Sequence, residues 1–107
     1  MSDSSNGVYH VSYSGANLEQ LRRWSDRAVD LGIGPAFAAA LKTIHRKLTT
    51  DPLNWGDPSY RLHHLGLLVC HGIVWNIQAH YAVDEARRIV YVKDYQLLSG
   101  HPLGPEP

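Results

Sequence analysis

At Tyr60 the spacing of apolar residues changes, and the change divides the chain into two kinds of structure. Before it, Leu18, Leu21, Trp24, Ala28 and Leu31 recur at helical spacing, and Phe37, Leu41, Ile44 and Leu48 form an i, i+4, i+7, i+11 stripe. After it, "YRLHHL" alternates, "LGLLVCHGIV" is a mostly apolar run broken by glycines, and "IQAHYAV" alternates again before "DEAR" turns into "RIVYVKDY". Two helices followed by three or four strands in hairpin succession are therefore expected.

Local signals bound these elements. Ser14 offers an N-cap with Asn17 three residues on, and Gly32 ends the first helix. Pro35 sits in the first turn of the second, where its missing N–H is harmless, and Asp51 and Pro52 close it. Ahead of both, "VYHVSY" (residues 8–13) reads as a strand with Tyr9, Val11 and Tyr13 on one face. The expected class is α+β: an N-terminal strand, an α-helical hairpin, then an antiparallel meander, with the helices on one face of a four- to five-stranded sheet and the other face open.

One domain accounts for all 107 residues. "MSDSSNG" (1–7) is small and polar and is expected to be disordered. Residues 99–107 carry three of the six prolines and two glycines and are expected as a flexible tail, leaving 8–98 as the folded body. Ten Lys+Arg balance ten Asp+Glu, so no global positive field draws in nucleic acid; a local patch or protonated histidines would have to do so. Cys70, the sole cysteine, excludes an internal disulfide and a thiolate metal cage. No secretory leader or apolar span is visible, and a cytoplasmic protein away from membranes is expected.

The element order, "YRL" at 60–62, the "HYAVDEARRIVYV" hairpin at 80–92 and the "DP" closing the second helix at Asp51 resemble the RelE/ParE toxin superfamily across residues 8–98. The resemblance implies a RelE-like fold and a bacterial, growth-inhibiting toxin of a type II toxin–antitoxin (plasmid stabilisation) system, partnered by a cognate antitoxin. Such toxins act either as metal-independent mRNA endoribonucleases at the ribosome or as inhibitors of DNA gyrase. The chain departs from the family pattern where Gln78 replaces an arginine opening the penultimate strand and where Leu97 and Leu98 stand in place of another.

Cutting RNA without a metal requires a base for the ribose 2′-hydroxyl, cations for the phosphate and a proton for the leaving oxygen. Alternation puts Ala79, Tyr81 and Val83 toward the helices and His80 toward the open face. The catalytic candidates are His80, Arg61, His63 and Lys93, with Tyr91, Tyr95 and Gln78 as substrate-binding candidates. His63 and His64 point to opposite faces of a strand, and no His-x-x-x-His pair sits on a helix, so neither a metal nor another cofactor is expected. "LGLLVCHGIVW" is either a buried central strand or an edge that takes a strand from an antitoxin. Three outcomes stay open: an endoribonuclease with a non-standard site, a gyrase inhibitor that cuts nothing, and a silent protein-binding module of the same fold.

Overall fold

The computed structural model describes residues 8–104. The expected disorder of residues 1–7, and the last three residues of the expected tail, lie outside them. Five strands, β1 (His10–Ser12), β2 (Asp57–Leu62), β3 (Leu67–Val74), β4 (Ile77–Asp84) and β5 (Ile89–Leu97), form one sheet in the order β1-β5-β4-β3-β2. β1 runs parallel to β5 and the other pairs are antiparallel, so the sheet is mixed. Three helices, α1 (Gly15–Asp30), α2 (Gly34–Thr50) and the short α3 (Pro52–Trp55), complete an α+β fold.

The helix boundaries follow from the caps. Ser14 Oγ accepts from the Asn17 backbone N–H at 3.0 Å, and Asn17 Oδ1 accepts from the Ser14 N–H at 3.1 Å, a reciprocal pair that satisfies two otherwise orphaned donors. Past the end of α1, Gly32 takes φ +78°, a conformation that other residues adopt only with strain. Pro52, expected only to stop α2, also opens α3, since its fixed φ suits the first position of a new helix.

Trp24, Ala28, Phe37, Ile44 and Leu48 from the helices pack with Cys70, Ile77, Ala79, Tyr81, Val83, Val90 and Val92 from the sheet. Burying each large side chain contributes roughly 1.5–3 kcal/mol, so this interface anchors the helical layer. The inward set on β4 is the expected one, which leaves His80 on the face the helices do not cover. The run "LGLLVCHGIVW" is β3, an interior strand paired on both sides, and the sheet edges are β1 and β2.

Three expectations are corrected. "YRLHHL" is not one strand: β2 starts earlier, at Asp57, and stops at Leu62, after which His63–Leu65 form a single 3₁₀ turn closed by Gly66 at φ +68°. Tyr95 does not face outward, because an extra residue in β5 reverses the alternation after Val92. The chain also stays packed beyond residue 98. His101 and Leu103 are buried, Arg27 Nη2 donates to the Leu103 carbonyl at 2.5 Å, and Asn76 Nδ2 donates to that of Ser99 at 3.0 Å.

Candidate functional site

Two hairpins set the geometry of the uncovered sheet face. β3 and β4 are joined by Trp75 and Asn76, both at positive φ (51° and 58°), a turn whose twist matches that of the strands it joins. The tight turn places residues equidistant from it opposite one another, so His71 faces His80, and their ring centroids lie 6.1 Å apart.

Between β4 and β5 the register shifts: His80 pairs with Asp94 but Tyr81 pairs with Val92, leaving Lys93 as the extra residue of a bulge. Asn17 Nδ2 donates to the Lys93 carbonyl at 3.1 Å, tying the bulge to the start of α1. Val92 and Tyr95 both remain in the core, and Asp94 emerges beside His80.

The outcome is a polar row across four strands. His80 Nδ1 lies 2.9 Å from Asp94 Oδ1. Gln78 Nε2 lies 3.2 Å from His80 Nε2 and 3.4 Å from Gln96 Oε1. An amide nitrogen only donates, so in this arrangement His80 Nε2 is the unprotonated ring nitrogen and the ring proton sits on Nδ1, donated to Asp94. One strand over, Ser59 Oγ is 3.0 Å from His71 Nδ1. The His80 side chain is 30 % exposed and that of Asp94 49 %, so the pair is supported from below yet reachable from solvent.

Of the candidates read from the sequence, His80, Gln78 and Tyr91 share this face, and Lys93 is the exposed bulge residue beside it. Tyr91, opposite Ala82, is 38 % exposed. Arg61, His63 and Tyr95 do not join them. Arg61 pairs with Leu68, which pairs with the core residue Val83, so it belongs to the helix side of the sheet, where its guanidinium lies 3.8 Å from Glu85. His63 lies beyond the end of β2 in the 3₁₀ turn. Tyr95 is buried in the core against Tyr13, and burial, followed by that neighbour, pushes its phenol well above its usual range.

Sequence reasoning missed His71, Asp94 and Ser59. His71 was open to detection, since it and His80 are symmetric about Trp75–Asn76; Asp94 was hidden by the bulge. Cys70 offers no alternative nucleophile, because it is fully buried and burial raises its thiol pKa.

Among the described residues, no group of three or more His, Cys, Asp or Glu side chains is placed to hold a metal ion, and no helix is long and apolar enough to cross a membrane. A groove of about 770 Å³ opens on the helical layer, lined by Lys42, His45 and Arg46 of α2 and by Tyr13, whose hydroxyl is 2.9 Å from His45 Nδ1. No carboxylate is among its described lining residues. Compared with protein-family models, with curated proteins and with solved structures, the chain finds no match in any of the three.

Proposed function

We propose that the chain is a RelE/ParE-like toxin of a type II toxin–antitoxin system that cleaves mRNA without a metal, using the Asp94–His80 pair as its base. The observation that carries this reading is the His80 imidazole on an uncovered sheet face, with its Nδ1–H held by Asp94 and its Nε2 lone pair directed to a displaceable amide. The order of strand, helical hairpin and meander supports the family assignment.

In this mechanism a ribose 2′-hydroxyl displaces the Gln78 amide and gives its proton to His80 Nε2. Asp94 offsets the charge that then appears on the ring, the role a carboxylate plays behind any imidazole base. The Lys93 ammonium stabilises the charge growing on the phosphate, and the Tyr91 ring provides a platform for a base. One positioned base contributes about 10²–10⁴-fold.

The antitoxin in this scheme brings an acidic segment to the groove bearing Lys42, His45 and Arg46, which has the complementary charge. The experiment is inducible expression with mapping of RNA ends. His80→Ala should abolish growth arrest and RNA cleavage while the melting temperature stays within a few degrees of wild type. Persistent arrest in that variant, accompanied by trapped and broken DNA, would replace this reading with gyrase inhibition. Absence of arrest in the wild type would leave only protein binding.

A further inference from the structure

We infer that His71, oriented by Ser59, is the second catalytic imidazole, the acid that protonates the leaving 5′-oxygen; the inference rests on the nuclease reading of the His80 face.

His71 and His80 occupy directly opposed positions on β3 and β4, so their side chains rise from the same face with ring centroids 6.1 Å apart and planes tilted by 55°. In this assignment one phosphodiester sits above and between the two rings. The two rings are wired differently. His80 has its proton on Nδ1, given to Asp94, and its lone pair on Nε2, which makes it the acceptor. Asp57 of β2 is the register partner of His71, but no hydrogen bond or ion pair joins the two among the described contacts; His71 Nδ1 instead meets the Ser59 hydroxyl at 3.0 Å. A hydroxyl oxygen can accept from Nδ1–H, so this contact is compatible with a doubly protonated ring, whereas a Gln78 N–H aimed at Nε2 is compatible only with a singly protonated one. His71 Nε2 is neither hydrogen-bonded nor buried among the described contacts, so it is available to a substrate.

The step balances as a transesterification. The 2′-oxygen attacks phosphorus as its proton passes to His80 Nε2, and the bond from phosphorus to the 5′-oxygen breaks with its electron pair leaving on oxygen. The His71 Nε2 proton then neutralises that oxygen. The products are a 2′,3′-cyclic phosphate and a 5′-hydroxyl, and no water, metal or redox partner is consumed. The substrate class is RNA, because the nucleophile is the 2′-hydroxyl itself. Ser59 acts through His71 and is a positioning residue.

The test compares ordinary RNA with RNA carrying sulfur in place of the scissile 5′-oxygen, presented both as free oligonucleotide and on a programmed ribosome. A thiolate leaves without protonation, since thiols are far more acidic than alcohols. His71→Ala should slow cleavage of ordinary RNA by about 10²–10⁴-fold and leave the sulfur substrate within a few-fold of wild type. His80→Ala should slow both. His71→Asn, whose side chain keeps a partner for Ser59 while removing the ε donor, guards against a folding defect and should behave like His71→Ala. Ser59→Ala should follow the same substrate-dependent pattern with a smaller loss.

Equal losses on the two substrates in both His71 variants, or products ending in 3′-hydroxyl and 5′-phosphate, would overturn the assignment while leaving RNA cleavage in place. A wild-type protein that cuts neither substrate would overturn the nuclease reading and this assignment with it.

Discussion

His101 sits where an imidazolium is poorly tolerated. Its Nδ1 accepts from the Leu103 N–H at 3.0 Å, so the ring proton is on Nε2, which is buried without a partner. Trp75 packs against it at 4.6 Å and Phe37 of α2 at 6.2 Å between ring centroids. The charged group facing this segment is Arg27 of α1, which is bonded to the Leu103 carbonyl, and Asn76 of the β3–β4 turn is neutral. Desolvation lowers the His101 pKa below its usual value. In the unfolded chain a histidine titrates near ~6.5, so as pH falls below that point the unfolded state takes up a proton that the folded state resists. Stability from this residue is complete above that value and is lost toward lower pH. The melting temperature of the wild type should therefore drop more steeply from pH 7.5 to pH 5 than that of His101→Asn, which keeps an acceptor for Leu103. Parallel slopes would refute this. Gly72 presents a steric case. A Cβ there would lie 2.7 Å from Trp55 Cη2, and Trp55 cannot retreat because it is stacked on Tyr81, whose hydroxyl donates to the Pro52 carbonyl at 2.6 Å. Gly72→Ala should cost about 1–3 kcal/mol in a denaturant titration, with a shifted tryptophan fluorescence spectrum.

At the scale of elements, Asn17 couples the start of α1 to the bulge in β5. Its side chain completes the cap with Ser14 and also donates to the Lys93 carbonyl, and it is buried at 5 % exposure. Ser14→Ala should cost about 1 kcal/mol, as an ordinary cap does. Asn17→Ala removes both the cap and the part-buried contact to the bulge, and should cost about 2–3 kcal/mol. It should also weaken the His80–Asp94 pair, seen as a change in the His80 imidazole nitrogen shifts that Ser14→Ala does not produce. Equal effects of the two substitutions on stability and shifts would uncouple cap from site. The same residue shows which features were legible in the chain. Ser14, Asn17, Gly32 and Pro35 act within one turn of helix, so the helix ends could be read locally. The inward trio Ala79, Tyr81 and Val83 obeys simple alternation. The bulge depends on a contact between residues 76 positions apart, which no local pattern encodes. Tyr95 was misplaced and Asp94 missed for that single reason, whereas His63 was misplaced because adjacent histidines in "YRLHHL" mimic an alternating strand when they form a 3₁₀ turn before Gly66.

At the scale of the molecule, the sheet separates two jobs: the helix side supplies the core and the uncovered side supplies the polar row. The segment after β5 belongs to the first. Proline and glycine content suggested a tail, but composition averages over a stretch, and two anchors suffice to dock one. Leu103 joins the core cluster with Trp24, Phe37 and Ile77, and His101 wedges between Phe37 and Trp75. Deleting everything after Leu98 would strip both anchors from the core, together with the Arg27 and Asn76 hydrogen bonds. Leu103→Ala alone should cost about 2–4 kcal/mol, and the truncation should cost more and increase binding of a hydrophobic dye to the folded protein. None of these groups lies on the His80 face, so at temperatures well below its melting point the truncated protein should keep RNA cleavage and growth arrest within a few-fold of wild type. A truncation that abolishes cleavage while circular dichroism and melting remain native would instead place the C-terminal segment in the site, and the division of labour between the two faces of the sheet would have to be abandoned.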